Sequence, residues 1–249
     1  MNARQTRIRV TVTMAVAVVA ATIVVAPAAA SPSGAYEAAR ANDVRKGVAY
    51  PASAVILGRT IAVRTRPSGD GTTIAVYPQF RKDFRLTVLQ VLGEKRGSSG
   101  VRWLRISVPG RPNGRQGWVR ERSVHLRPVT STLVVDLSAR KLRLVEDGRT
   151  RFATRVAVGK RGAETPTGLF YLTAVFVPTE KYLGAYAFET SAYSKLSEWP
   201  GGGIVGLHGT TMPQLLGKAI SHGCVRMSNA AARVLRRHVT AGTPLRIVP

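Results

Sequence analysis

Cysteine is almost missing from this chain. One residue of 249, Cys224, carries a thiol, so no disulfide can form within the chain. Acids are scarce as well: 13 Asp and Glu stand against 37 Lys and Arg, a formal net charge of +24. Aromatics make up 6% of the residues, and nowhere do they interleave with basic residues as on the stacking platforms that bind single-stranded nucleic acid. No long internal repeat is present, which argues against a solenoid array. The hydrophobic fraction is nonetheless 45%, enough for a real core and too much for a disordered chain. A folded protein this basic favours anionic partners.

One long apolar run exists, and it lies at the start. "MNARQTRIRV" carries three arginines and no acid; "VTVTMAVAVVAATIVVA" and "PAAASPSG" follow. A charged leader, an apolar stretch and a small-residue A-x-A-like site form the pattern of a secretory signal. Residues 1–30 are read as that signal, with cleavage after Ala30; an uncleaved anchor is the alternative, and would be the chain's only link to a membrane. Either way the remainder is expected outside the cytoplasm, in a cell wall, a periplasm-like space or the medium. There nucleic acid is rare, while wall polymers are dense in carboxylate and phosphate. A free cysteine in such a compartment stands out as a reactive thiol.

Residues 31–53, small, polar and proline-punctuated, are read as a linker. From there the chain breaks into short strand-like runs separated by turn signals. Leu86, Val88 and Val91, then Trp103, Leu104 and Ile106, mark half-buried β-structure. "AVRTRPS", "LTVLQ", "RWLRISV" and "GRQGWVRERSV" resemble a bacterial SH3-like domain over 54–128. The resemblance implies a small barrel that binds wall material or serves as a spacer. A second β-rich section, 130–249, reads as strand, turn, strand, with a hairpin signal at Asp147-Gly148. One short helix is predicted over "NAAARVLRRHV", with Asn229 as its cap. Charge is spread over both parts: 15 basic against 4 acidic residues in 54–129, and 16 against 7 in 130–249.

Chemistry concentrates in "GLHGTTMPQLLGKAISHGCVRMSN". A thiol attacks as thiolate, which needs a base within reach and amide donors for the oxyanion. The segment holds two candidate bases, His208 and His222, and glycines that admit a substrate, Gly209 and Gly223. Amides around Gly223 and Cys224 are candidate oxyanion donors. In an extended segment, His222 and Cys224 leave the same face roughly 7 Å apart at Cβ. His208 arrives from another strand and can meet the sulfur head-on, so it is favoured as the base. The Gly209 carbonyl is suited to orient its second ring nitrogen in place of a carboxylate. A zinc site of His208, His222 and Cys224 would lack a fourth ligand and fits no common spacing. An inert buried cysteine is the bland alternative.

"HGT…P…LG…SHGCVRM", with "VVDLSARKLRLVEDGR", "ETPTGLFYL" and "GAYAFETSAYS" upstream, resembles the L,D-transpeptidase catalytic domain of the YkuD type. The resemblance covers most of 131–249 and implies an all-β, sandwich-like fold. By it, Cys224 is the nucleophile, His208 the base and Gly209 the orienting carbonyl. Ser221, His222, Gly223 and Arg226 complete the acyl-donor pocket, with Gly223 expected to supply an oxyanion amide. The tyrosine-bearing stretch "VFVPTEKYLGAYAFETSAYSKLSEWPGG" is expected to cover the donor, with Tyr186 as a substrate contact. An acidic residue frequent in the family after the asparagine is replaced here by alanine.

The implied reaction is peptidoglycan cross-linking through a cysteine thioester, with release of terminal D-alanine from tetrapeptide stems. The implied partners are stem peptides and anionic wall polymers. No nucleic acid, metal or organic cofactor is expected, and the chain is expected to be monomeric. Two other classes stay open: a wall cysteine peptidase (an L,D-carboxypeptidase) that uses water as acceptor, and a non-catalytic wall-binding protein.

Overall fold

Short runs that alternate between apolar and polar residues bury one face as strands, and most of this chain is built of them. The computed structural model describes residues 51–97, 99–198 and 201–249. The expected signal, and the linker up to residue 50, lie outside the described residues.

The first seven strands are β1 (Ala52–Ile56), β2 (Thr60–Arg64), β3 (Thr73–Pro78), β4 (Val88–Arg96), β5 (Arg102–Ser107), β6 (Gln116–Arg120) and β7 (Val124–Arg127). They form one antiparallel sheet in the order β3-β2-β6-β5-β4-β1-β7. Ala52 is paired with Val91 and fully buried, so this sheet reaches back two residues into the stretch read as linker. Ile61, Val63, Leu104, Ile106 and Val119 fill its core. The Gly-Trp-Val landmark has a packing reason: a Cβ on Gly117 would overlap the Val63 side chain.

The remaining strands are β8 (Ser131–Asp136), β9 (Lys141–Glu146), β10 (Arg149–Arg155), β11 (Val158–Gly159), β12 (Gly168–Phe176), β13 (Ala187–Tyr193), β14 (Ile204–His208), β15 (Ala219–Ser221), β16 (Val225–Arg226) and β17 (Pro244–Val248). Eight of them form a mixed sheet in the order β10-β9-β8-β17-β12-β13-β14-β16, while β11 and β15 pair separately. Alternation is clearest in β8 and β9, where Leu133, Val135, Leu142 and Leu144 point inward at zero exposure. Asp147 and Gly148 both take positive φ, 49° and 72°, as the two-residue turn between β9 and β10 requires.

Helix α1 (Asn229–Arg236) buries Ala231, Ala232 and Leu235 against the same core. Its cap is Ser228, not Asn229: the Ser228 hydroxyl accepts from the Ala231 amide at 3.1 Å. The Asn229 side chain is drawn away to accept from the Ala185 amide at 2.9 Å, a tertiary contact that no local signal announces. The class is therefore all-β with one short helix. Among the described residues no helix is long and apolar enough to cross a membrane.

Leu144 lies at the centre of the second core with no exposed surface. Leu144→Ala is expected to destabilise the folded state by about 2–5 kcal/mol, measured by urea denaturation; a loss below this range would mean that the site collapses around the smaller side chain.

Candidate active site

The parallel pairing of β14 with β16 sets Leu207 opposite Val225 and His208 opposite Arg226. His208, at the end of one strand, and Cys224, just before the other, thereby reach one cavity of about 320 Å³. His222, Arg226, Gly206 and Glu189 line it as well.

His208 is 4% exposed. Its Nδ1 lies 2.6 Å from the carbonyl oxygen of Gly209. A carbonyl can only accept, so Nδ1 carries the proton and Nε2 is left as the basic atom. The Gly209 backbone is itself fixed, since its amide donates to the Tyr186 carbonyl at 3.1 Å. The Asn229 side chain fills the space that a Cβ on Gly209 or Gly184 would need. Helix α1 thus buttresses the histidine's orienting group through its first residue.

Cys224 Sγ accepts from the Gly206 amide at 3.4 Å. Its loop is held from two sides. The Ser221 hydroxyl donates to the Cys224 carbonyl at 2.5 Å and accepts from the Gly223 amide at 3.2 Å. Thr165 Oγ1 donates to the Gly223 carbonyl at 2.8 Å and accepts from the Gly159 amide. Gly223 takes φ +115° with Ser194 close against it, a position where a side chain would be strained.

These contacts bear on two expectations. The Gly223 amide donates to the Ser221 hydroxyl, which counts against the oxyanion role expected of it. The Cys224 amide is the better candidate, because it meets no acceptor among the described residues. Tyr186 is also reassigned: its side chain packs on the core, and the tyrosine in the cavity wall is Tyr182. His222 and Arg226 line the cavity. Ser221, expected as a substrate contact, does not, because it is fully buried and its hydroxyl is spent within the nucleophile loop. Sequence reasoning missed Thr165, Gly206 and Asn229, whose parts depend on chain crossings.

Burial makes the resting pair neutral. It lowers the His208 pKa to about 4, with the Arg226 charge pushing the same way and the Gly209 carbonyl opposing. Burial raises the Cys224 thiol, against the Gly206 amide and Arg226. Arg226 has no ion-pair partner among the described residues, and its Nε is buried without an acceptor. No cluster of His, Cys, Asp and Glu among the described residues could hold a metal ion.

Fold and site together define a mainly-β domain with a half-buried cysteine and a carbonyl-oriented histidine at one cavity. Residues 130–247 match the family model of the YkuD L,D-transpeptidase catalytic domain. The YkuD protein of Bacillus licheniformis, named as an L,D-transpeptidase, is 34% identical over 117 residues, 47% of this chain and 65% of its own length. Its Bacillus subtilis counterpart is 33% identical over 115 residues, 46% and 64%. The matched stretch is thus just under two thirds of either relative. Among solved structures, an L,D-transpeptidase from Mycobacterium tuberculosis aligns over 66% of this chain and 90% of its own, at 14% identity and a TM-score of 0.44. One from Mycobacterium smegmatis aligns over 65% and 99%, at 16% identity and a TM-score of 0.40.

A neutral thiol beside a neutral imidazole makes a specific kinetic demand. Alkylation of Cys224 by iodoacetamide is expected to keep rising with pH past the ordinary thiol value of 9.0, with no plateau at lower pH. A plateau between pH 5 and 8 would instead reveal a thiolate–imidazolium pair and contradict the buried, neutral state.

Proposed function

We propose that the protein is an exported peptidoglycan L,D-transpeptidase that works through a thioester on Cys224. The observation that carries this reading is the oriented imidazole: His208, with Nδ1 tied to the Gly209 carbonyl, offers Nε2 to the cavity that Cys224 lines. The family match over 130–247 supports the reaction class.

Because neither ion is stable in the resting site, proton transfer accompanies bond formation. The Cys224 sulfur bonds to the carbonyl carbon of the third residue of a donor stem as its proton passes to His208 Nε2. The carbonyl oxygen becomes an oxyanion facing the Cys224 amide. Collapse breaks the peptide bond, and the departing D-alanine amine takes the proton from His208. The product is a thioester and free D-alanine. An amine of a second stem then attacks the thioester carbon, gives its proton to His208, and leaves as a new amide. The proton returns to sulfur. His208 is a weak base by ground-state measure, so thiolate character on sulfur develops as the proton passes to Nε2 and the carbon–sulfur bond forms.

Arg226 reads as a contact for a carboxylate of the stem, since it faces the cavity with an unsatisfied Nε. Charge-assisted bonds of this kind are shorter and stronger than neutral ones. The N-terminal sheet reads as an SH3-like module, and the +24 charge favours retention on an anionic wall. Residues 1–30 read as the export signal.

Incubation with defined tetrapeptide stems, followed by intact-protein mass spectrometry and muropeptide analysis, tests this directly. The expected result is a covalent acyl adduct on wild-type protein, released D-alanine and cross-linked dimers. Cys224→Ala is expected to abolish all three, and His208→Ala to slow acylation by about 10²–10⁴-fold. D-alanine released with tripeptide as the only product would make water the acceptor and the enzyme a carboxypeptidase. An adduct retained by Cys224→Ala would overturn the assignment.

A further inference from the structure

Two arginines of the N-terminal domain end on the walls of the Cys224 cavity, and a third holds the segment next to it. Arg81, which follows β3, reaches Glu189 on β13, with contacts of 2.8 Å to Oε1 and 2.9 Å to Oε2. Arg85 stands 4.8 Å above the Phe176 ring. Asp83 ties these two together, at 3.4 Å from Arg81 and 2.7 Å from Arg85. Arg111, between β5 and β6, donates to the carbonyls of Ser194 and Gly202, each at 2.9 Å. It also covers the Tyr193 ring at 5.0 Å.

The endpoints matter more than their number. Glu189 and Phe176 line the cavity, while Arg111 holds Gly202, next to the lining residue Gly201, and Ser194, which adjoins β13 through Tyr193. Asn113 grips the backbone of Tyr193 in both directions, accepting from its amide at 3.0 Å and donating to its carbonyl at 2.8 Å. Next to it, Ser194 packs against Gly223: a Cβ added at Gly223 would come within 3.0 Å of the Ser194 Cβ. A continuous path of contacts therefore runs from Arg111 and Asn113 through Tyr193 and Ser194 to the residue preceding Cys224.

We propose that the N-terminal sheet is a working part of the active site, in which Arg81, Arg111 and Asn113 are positioning residues that set the β13 wall and the nucleophile loop. This rests on Cys224 being the acylated residue, and it gives the N-terminal domain a second task besides wall attachment. Arg81 and Glu189 are each about three-quarters shielded, with side-chain exposures of 26% and 23%. Removing the arginine leaves the Glu189 carboxylate in the cavity wall without a cation and, among the described residues, with the Thr173 hydroxyl as its remaining donor, a costly arrangement that the wall relieves by moving. Arg111 holds backbone carbonyls of an irregular segment, where side-chain bonds replace a regular ladder. Lysine is a poor substitute there, because one ammonium lacks the planar fork that spans separated acceptors.

The test uses full-length protein carrying Arg81→Gln, Arg111→Gln or Asn113→Ala, with Arg81→Lys and Arg111→Lys as conservative partners. Turnover of a tetrapeptide stem gives kcat and KM; hydrogen exchange of residues 193–196 and 201–208 reads the wall itself; thermal melting reports folding. The expected result is a kcat lowered about tenfold to a hundredfold, the scale of a 1 Å misplacement, with KM little changed and the native transition kept. Exchange in the wall is expected to speed up, and the lysine variants to recover part of the rate. Wild-type kcat and wild-type exchange in all three variants would overturn the proposal. If the wild-type protein fails to turn over stems, the proposed reaction falls. Exchange then decides alone: faster exchange at the wall upholds positioning, and unchanged exchange ends it.

Discussion

Everything at the site depends on one pairing, that of β14 with β16. The two strands run parallel, so the chain leaving His208 must travel across the molecule and return before Val225 can lie opposite Leu207. That crossing contains β15, which pairs with β11, and it delivers Cys224 to the cavity His208 already faces. Hydrogen bonds from Ser221 and Thr165 then fix the returning loop. Without the parallel register, the cysteine and the histidine would be ordinary residues of a basic β-protein.

The same crowding that brings them together keeps them neutral. A thiolate and an imidazolium each lose solvation in this cavity, and the nearby Arg226 favours the thiolate while opposing the imidazolium. The protein answers by fixing geometry in place of charge. Nδ1 is committed to a backbone carbonyl, and that carbonyl's glycine is locked by Tyr186 and Asn229. Orientation of this sort stands in for the buried carboxylate of other triads and avoids placing a further charge beside the sulfur.

The large positive charge divides into two populations. Most arginines among the described residues are exposed and add collectively to a positive field. Arg81, Arg85 and Arg226 are different, because each has a defined place around one cavity, and Arg111 holds the segment beside it. Residue counts cannot separate the two groups. The distinction lies in where a side chain ends, which is a property of how the two sheets meet.

By itself the sequence determined the β-rich class, the short helix, the turn at Asp147-Gly148 and the identities of Cys224, His208 and Gly209. These are local matters: alternation, turn chemistry, and a dense motif whose residue types admit few chemistries. The tertiary structure decided the rest. It moved the helix cap to Ser228, because Asn229 is drawn to Ala185. It engaged the Gly223 amide with the Ser221 hydroxyl. It put Tyr182 in the cavity in place of Tyr186, and added Thr165, Gly206 and the N-terminal arginines. Each of these turns on contacts between residues far apart in the chain. Such contacts leave no periodicity or spacing to read, because their partners are chosen only when the strands find their register.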